Sequence, residues 1–261
     1  QHQILGEKVS FLIGTPPRVI AHRGLAIEHG ENTLGAFGAA VDAGADILET
    51  DVHLSKDGEV IIAHDSLLER VAGRSGSIAD YTASELAGID LGFGEGFPTL
   101  AQALERFPQQ RFNIDLKVDS VVEPFVSLIT ALGATDRILV ASFSELSRSR
   151  AVAGLPGVAS SATSRHVIEG RLRSWVGLAL DKWDIPSEVV ALQIPTSYYG
   201  LPLVTPGMIR SCHRRGREVH VWTINDVSHM KRLWQMGVDG IVTDRCDLAT
   251  LLRKSLAASG S

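Results

Sequence analysis

The sequence has little of what several classes of protein require. Its only two cysteines, Cys212 and Cys246, cannot build a disulfide framework, and they favour a reducing compartment. Only 10 of the 261 residues are proline, and 21% are charged, so the composition differs from that of disordered or low-complexity chains. The chain also lacks any apolar run near the roughly 18 to 20 residues of a membrane-spanning helix. We therefore expect a folded protein with no stable membrane insertion.

An excess of basic residues is missing as well. The chain has 25 Lys and Arg against 30 Asp and Glu, which gives a net charge of −5. Such a chain offers no general electrostatic attraction to a phosphate backbone, so we expect no nucleic-acid partner. The composition favours a cytoplasmic protein, and the start at Gln1 rather than Met leaves open an export signal upstream. The oligomeric state stays open.

Short β-branched segments alternate with helical segments along the whole chain, which is typical of βα units around a parallel sheet. Eight units in this length predict a closed (β/α)8 TIM barrel of the α/β class, at roughly 33 residues a unit. Residues 65–97 interrupt this alternation of strands and helices. We expect them to form a small insertion over one barrel mouth, after the second strand. No linker divides the chain, which predicts one domain over residues 1–261. The predicted strands are 19–23, 46–51, 111–118, 138–141, 158–161, 189–193, 218–222 and 240–243.

Two of these strands carry acidic side chains where a barrel otherwise buries apolar ones. A period of two places Glu49, Asp51 and His53 on one side of their strand, and Asp115 and Lys117 on one side of the next. An acidic cluster in a water-poor mouth is costly unless a cation compensates it, and oxygen ligands suit Mg²⁺ or Ca²⁺. Structural ion pairs with Arg or Lys would explain the same pattern. The spacing alone leaves both interpretations open.

Two histidines lie where strand-like runs stop, and the active site of a barrel is built at those ends. His22 ends the first strand, and His64 follows the apolar run 60–63. Two imidazoles can serve as base and acid around one substrate atom, although a lone histidine in such a place is more often structural. Arg23 could clamp an anion, and Lys117 could add a point charge. Together with a bound cation, this set favours a phosphate ester as substrate.

With these residues the chain resembles the glycerophosphodiester phosphodiesterase family, through nearly its whole length. The family's opening His-Arg-Gly and Glu-Asn-Thr motifs are present, and so are its Glu-x-Asp, Lys-Asp-Gly and His-Asp motifs. Several ordered motifs together are far stronger evidence than any one of them. The matching residues are 22–24, 31–33, 44–46, 49–52, 56–58, 64–65, 98–100, 221–225 and 237–244.

The resemblance implies a TIM barrel with a small insertion after the second strand. It also implies metal-dependent hydrolysis of glycerophosphodiesters to glycerol 3-phosphate and an alcohol, with one Mg²⁺ or Ca²⁺ ion, or alternatively Mn²⁺. In that family the third of three acidic metal ligands is usually Glu. Here that position is Asp115, whose side chain is one methylene shorter, so the identity and affinity of the cation stay open. By position the resemblance assigns His22 and His64 to acid–base catalysis, Glu49, Asp51 and Asp115 to the metal, Arg23 and Lys117 to phosphate, and Trp222 to the glycerol side.

The sequence leaves two other functions open. A phospholipase D or sphingomyelinase-like barrel would act on lipid phosphodiesters and expose apolar loops, for which 91–97 and 198–203 are the candidates. An inactive barrel that binds glycerol phosphates would have lost a histidine or an acid, and none is missing here. Outside the site, we expect His220 to be a hydrogen-bonded interior residue and Asp244 to cap the last helix.

Overall fold

Eight parallel strands form a closed barrel in the computed structural model, which describes residues 10–163, 185–198 and 200–259. The barrel closes because β1 (Arg18–His22) pairs with β2 (Ile47–Leu54) on one side and β11 (Gly240–Thr243) on the other. The predicted TIM barrel is therefore confirmed. Between β2 and β11 lie, in order, β4 (Arg111–Leu116), β5 (Ile138–Ala141), β6 (Ala159–Ser161), β7 (Val189–Pro195) and β10 (Glu218–Trp222).

Helices cover the outer face of the barrel. Six of the described helices begin at a side chain that accepts a hydrogen bond from a backbone N–H three residues on. These caps are Thr33, Thr82, Thr99, Ser144, Thr205 and Asp226. Within the described ranges, no helix is both long and apolar enough to cross a bilayer. The helices are α1 (Leu34–Asp42), α2 (Glu69–Ala72), α3 (Ala83–Ala87), α4 (Leu100–Arg106), α5 (Val122–Ala131), α6 (Glu145–Gly154), α7 (Pro206–Arg214), α8 (Val227–Met236) and α9 (Cys246–Ser259).

The barrel interior is filled by apolar side chains at its lower, N-terminal end. Ile20, Ile47, Leu139 and Val242 come from four different strands and pack with Phe11, which precedes β1. This end is packed shut and also holds the hydrogen-bonded group of Arg18, Glu218 and His220. The polar side chains of the predicted site lie at the opposite end, where the strands terminate.

The segment after the second strand has its own hydrophobic cluster. A short strand, β3 (Val60–Ile62), pairs antiparallel with the end of β2 and extends that strand to Leu54, three residues beyond its predicted end. The short helices α2 and α3 follow. The apolar side chains of this segment pack on β3 and include Ile61, Leu68, Ile78, Leu86, Ile89 and Phe97.

The prediction of one domain over residues 1–261 also covers residues 1–9, 164–184, 199 and 260–261, which lie outside the described ones. A further two-stranded hairpin, β8 (Ser197–Tyr198) and β9 (Leu201–Pro202), follows β7 at the same end of the barrel as the polar side chains.

Candidate active site

The strand register brings the predicted acidic residues to one end of the barrel. His22 is the register partner of Glu49 across β1 and β2, and Asp51 is the partner of Asp115 across β2 and β4. All three carboxylates are buried. Parallel pairing thus converts two separate sequence motifs into one acidic cluster at the C-terminal mouth.

Two cationic side chains lie among these acids. The Nζ of Lys117 is 2.8 Å from Oδ1 of Asp51 and 2.7 Å from Oδ2 of Asp115, so its ammonium bridges the two carboxylates. The Nε of Arg23 lies 3.5 Å from Oδ2 of Asp51 without forming a hydrogen bond. The backbone N–H of Arg23 donates to Oε2 of Glu49 at 3.1 Å. The two predicted phosphate-binding residues therefore adjoin the predicted metal ligands.

The acidic cluster holds more negative charge than these contacts neutralise. Burial raises the pKa of Glu49 well above its ordinary value, and the charges of Asp51 and Asp115 raise it further. Burial also raises the pKa of Asp115, even though Lys117 opposes the shift. In addition, Oδ1 of Asp115 is buried without a hydrogen-bond partner.

This donor set fits a hard divalent cation, because all three side chains offer carboxylate oxygens and an added positive charge would relieve their repulsion. In the part of the chain that the structure describes, no group of three or more His, Cys, Asp or Glu side chains is already spaced as a metal site. The Lys117 ammonium lies between two of the three carboxylates. The fit thus rests on the donor chemistry, the burial and the free oxygen of Asp115.

His22 is held by a carboxylate from the last barrel strand's end. Its Nδ1 lies 2.6 Å from Oδ1 of Asp244, and Nδ2 of Asn225 donates to the other oxygen of Asp244 at 2.7 Å. The hydrogen bond with His22 lowers the pKa of Asp244. The expectation that Asp244 caps the last helix is wrong, because both of its side-chain oxygens are directed to these two partners.

His64 is held in the same way by its neighbour in sequence. Its Nδ1 lies 2.6 Å from Oδ1 of Asp65, while Nε of Arg70 donates to the other oxygen. Burial favours the protonated form of Asp65, but the hydrogen bonds from Arg70 and His64 outweigh it and lower the pKa.

These contacts fix the tautomers of both imidazoles. A carboxylate is only an acceptor, so Nδ1 of His22 and Nδ1 of His64 must each carry the proton. The Nε2 atoms are left to accept or release a proton elsewhere. Both histidines thus have the arrangement expected of oriented acid–base groups.

Three other side chains complete the comparison with the sequence predictions. His53 is buried, and its Nε2 lies 3.1 Å from the carbonyl oxygen of His64, so it supports the backbone at that residue. His220 is fully buried and hydrogen-bonded to Glu218 at 2.9 Å, as predicted. Trp222 ends β10 and packs against the interior apolar cluster, and no hydrogen bond joins it to the other predicted site residues.

The first loop shows why its motif has the sequence His-Arg-Gly. Gly24 has φ +85°, and a Cβ there would lie 2.7 Å from the backbone of Ala36 in α1. Only glycine fits this close approach. Arg23 itself has φ 57°, an uncommon conformation for a residue with a side chain, at the place where its N–H reaches Glu49.

Sequence reasoning missed the residues that orient this site. Asp65 and Asp244 were present in the quoted motifs, but their roles depend on which strand ends meet. Asn32 donates to Oδ2 of Asp51 at 3.3 Å and accepts from Thr50. Its place in the Glu-Asn-Thr motif did not indicate either contact. Arg70 has no local sequence signal, because it comes from the irregular insertion.

The comparisons with known proteins agree on one family. The family model described as "Glycerophosphoryl diester phosphodiesterase family" matches residues 22–248. The chain belongs to this family. Its predicted class, a glycerophosphodiester phosphodiesterase, is confirmed, and the matched range contains all eight predicted site residues.

Three similar proteins show how far the likeness extends. "Probable glycerophosphodiester phosphodiesterase 2" of Mycobacterium tuberculosis is 38% identical over 254 residues, which are 97% of this chain and 95% of that protein. A phosphodiesterase from Oleispira antarctica, solved in complex with the product sn-glycerol-3-phosphate, is 28% identical. The match has a TM-score of 0.73 and covers 94% of this chain and 98% of that one. The human "Lysophospholipase D GDPD1" is 28% identical over 86% of this chain and 82% of its own.

The cysteines of this phosphodiesterase take no part in the site. Cys212 and Cys246 are both buried and free. Burial raises the pKa of each thiol to about 12, so neither supplies a thiolate nucleophile near neutral pH.

Proposed function

We propose that this enzyme hydrolyses glycerophosphodiesters to sn-glycerol 3-phosphate and an alcohol, with His22 and His64 as its proton-transfer pair and one divalent cation. The observation that carries this proposal is the pair of imidazoles, each bound through Nδ1 to a carboxylate. His22 is the register partner of Glu49, and His64 follows β3, which pairs with the end of the strand that carries Glu49 and Asp51. The Oleispira antarctica protein, whose product complex holds sn-glycerol-3-phosphate, supports the same substrate class.

Glu49, Asp51 and Asp115 would hold the cation, which is Mg²⁺, Ca²⁺ or Mn²⁺. When bound, such an ion supplies positive charge that polarises a phosphoryl oxygen. Arg23 would bind a second phosphoryl oxygen through its guanidinium, and Lys117 would add a point charge. Trp222 would line the glycerol side of the mouth. The positive charges of the cation, Arg23 and Lys117 together favour an anionic substrate such as a phosphate ester.

The reaction requires one proton to be taken and one to be given. One imidazole accepts a proton at Nε2 from the attacking oxygen, which then forms a bond to phosphorus. The other imidazole donates its Nε2 proton to the alkoxide as the bond from phosphorus to the alcohol breaks. The attacking oxygen is either water or the 2-hydroxyl of the substrate's own glycerol, and the latter gives a cyclic phosphate first.

The central test is the release of glycerol 3-phosphate from glycerophosphocholine. We expect release to stop after dialysis against a chelator and to return when a divalent cation is added. Turnover that persists after complete removal of metal would contradict cation dependence. Following the reaction by phosphorus NMR distinguishes a cyclic phosphate intermediate from direct hydrolysis.

The same assay defines specificity. Glycerophosphocholine, glycerophosphoethanolamine and glycerophosphoinositol, each tested with Mg²⁺, Ca²⁺ and Mn²⁺, give the preferred alcohol and cation. We expect the cation to matter more than the alcohol, because the proposed roles of these residues are to bind the phosphate and the metal rather than the alcohol.

A second candidate function is hydrolysis of lysophospholipids, which one observation favours. Several large apolar side chains are exposed in the connections that lie at the mouth. Phe93 is 70% exposed in the insertion and Phe143 is 68% exposed after β5, where its ring lies 5.8 Å from Nζ of Lys117. Ile27, Leu67 and Leu146 are also exposed in mouth-side segments. Where exposed apolar groups form a contiguous patch, they mark a contact with an apolar partner.

In this candidate function the same residues hydrolyse a phosphodiester whose glycerol carries an acyl chain. Of the two apolar segments predicted from sequence, 91–97 contains Phe93, whereas 198–203 lies partly outside the described residues. The human "Lysophospholipase D GDPD1" is a relative whose name carries this activity.

Comparing lysophosphatidylcholine with glycerophosphocholine tests the second candidate. We expect Phe93→Asn with Leu146→Ser to lower turnover of the lysolipid several-fold and to leave glycerophosphocholine turnover unchanged. Absence of lysolipid turnover by the parent would remove this candidate and leave the first one intact. Equal turnover of lysolipid by the parent and the double variant would contradict the role of Phe93 and Leu146 in binding the acyl chain. Cosedimentation with phosphatidylcholine vesicles measures whether the same side chains bind a lipid surface.

A further inference from the structure

Arg70 connects two carboxylates that come from two different loops at the mouth. Its Nε donates to Oδ2 of Asp65. Its two terminal nitrogens donate to Glu31, at 2.6 Å to Oε1 and 3.1 Å to Oε2. The side chain is 48% exposed, so solvent reaches this bridge.

Each of these carboxylates in turn holds a group of the proposed site. Oδ1 of Asp65 takes the Nδ1 proton of His64 at 2.6 Å. Oε1 of Glu31 accepts from Nη1 of Arg23 at 3.0 Å. One guanidinium therefore links the imidazole that transfers a proton with the arginine that would bind phosphate.

The positive charge of Arg70 offsets the negative charges of Glu31 and Asp65. Burial would raise the pKa of Glu31, but the hydrogen bond from Arg70 and the charges of Arg23 and Arg70 outweigh it and lower the pKa. Both carboxylates thus stay ionised and remain acceptors for the functional groups. Without Arg70, Glu31 and Asp65 would each lose a cationic donor.

The geometry also explains why this residue is an arginine. A planar guanidinium offers Nε and two terminal nitrogens in a fixed fork, which can hold two carboxylates at once, whereas an ammonium is a single point. The short helix that carries Arg70 is anchored by buried Leu68, whose N–H donates to the carbonyl oxygen of Gly76 at 3.0 Å. The insertion therefore fixes the orientation of the Arg70 guanidinium.

We propose that Arg70 is a positioning residue which aligns His64 through Asp65 and Arg23 through Glu31. Its hydrogen bonds go to Asp65 and Glu31, neither of which is a proposed metal ligand. Its insertion helix is therefore part of the catalytic apparatus rather than only a cover over the mouth. This inference rests on the proposed function.

The test uses Arg70→Ala and Arg70→Lys, with Arg74→Ala as the matched control. Arg74 lies in the same insertion and stacks on Tyr81 at 5.2 Å instead of joining the site. We expect Arg70→Ala to lower kcat for glycerophosphocholine about 10- to 100-fold, as for the loss of other residues that orient catalytic groups. It should also weaken the binding of sn-glycerol 3-phosphate, measured by calorimetry, since Arg23 is released. Arg70→Lys should recover only part of kcat, and Arg74→Ala should match the parent.

Chemical rescue separates positioning from folding. Guanidinium chloride, added below the concentration at which the protein unfolds, should restore part of kcat in Arg70→Ala and have no such effect on Arg74→Ala. The half-exposed bridge leaves the rescuing ion a path to Asp65 and Glu31. Unchanged kcat and product affinity in Arg70→Ala would overturn the proposal, and so would a loss that guanidinium does not relieve.

This test and that of the proposed function fail in different ways. If the proposed function is wrong, the parent enzyme itself does not release glycerol 3-phosphate from glycerophosphocholine. If only the present inference is wrong, the parent is active and Arg70→Ala is as active as the parent.

Discussion

The Nδ1 atom of His22 lies 2.6 Å from Oδ1 of Asp244, although 221 residues separate the two in the chain. Closure of the barrel produces this contact, because β1 and β11 are neighbours and both residues lie at the ends of these strands. The hydrogen bond orients the ring and leaves Nε2 free at the mouth. His64 with Asp65 repeats the relationship within one loop. Two oriented imidazoles are thus built by two unrelated routes, one long-range and one local.

The first prediction concerns the orientation of His22. We expect Asp244→Asn to lower kcat about 100-fold, because an amide can donate to Nδ1 and stabilise the wrong tautomer, and correct acid–base catalysis contributes about 10² to 10⁴. Stopped-assay kinetics with glycerophosphocholine measure this loss. Asp247→Asn is the matched control, since its carboxylate pairs with Arg245. Equal kcat in the two variants would show that Asp244 does not orient the catalytic imidazole.

The second prediction concerns the third metal ligand. We expect Asp115→Asn to weaken cation binding at least about tenfold, because it removes one of three negative oxygens, whereas Asp115→Glu should retain it. Isothermal titration of Mg²⁺, Ca²⁺ and Mn²⁺ gives the affinities directly, without relying on turnover. Asp119→Asn serves as control because that carboxylate pairs with Arg150. Unaltered affinity in Asp115→Asn would exclude this residue as a ligand.

The third prediction concerns the closed end of the barrel and pH. Glu218 is hydrogen-bonded to Arg18 and His220. Burial would raise its pKa, but these hydrogen bonds and charges lower it from 4.5 to about 2. A pKa that is lower in the folded state stabilises the protein above the unfolded value. This stability is lost as pH falls from about 4.5 towards 2.

Urea unfolding at a series of pH values measures that loss. The parent should lose up to roughly 3 kcal/mol over the interval, and Glu218→Gln should show a flatter pH dependence with lower stability at neutral pH. Glu105→Gln, at an exposed position on α4, provides the control. A parallel pH dependence in the parent and Glu218→Gln would contradict the assignment.

The barrel was predictable from the sequence, and so was the meeting of most of the candidate site residues at one end of it. Strands such as β5 and β11 have both faces buried, so their apolar runs are nearly continuous and their ends are easy to recognise in the sequence. The position of His22 and the alternation of Glu49 with Asp51 follow from the same pattern. β2 was predicted three residues too short because its end pairs with β3, an antiparallel strand that the βα rhythm does not include.

The orienting residues were less accessible to sequence reasoning. Asp244 follows the last strand and precedes a helix, which is also the pattern of a helix cap, and only the pairing of β1 with β11 distinguishes the two roles. Arg70 and Glu31 are 39 positions apart, one in a short helix of the insertion and the other in a loop, so no periodicity relates them. Tertiary closure, rather than local propensity, creates both contacts.

The most direct test of the central claim compares two leaving groups in His22→Ala and His64→Ala. Glycerol 3-phosphate esters of choline and of p-nitrophenol differ in how much they need a proton on departure. The account predicts that one variant loses turnover of the choline ester about 10²- to 10⁴-fold but retains that of the p-nitrophenyl ester, while the other loses both. His213→Ala, whose ring pairs with Asp239 outside the mouth, should match the parent. If both variants hydrolyse the choline ester as fast as His213→Ala, the two imidazoles do not transfer the protons of this reaction.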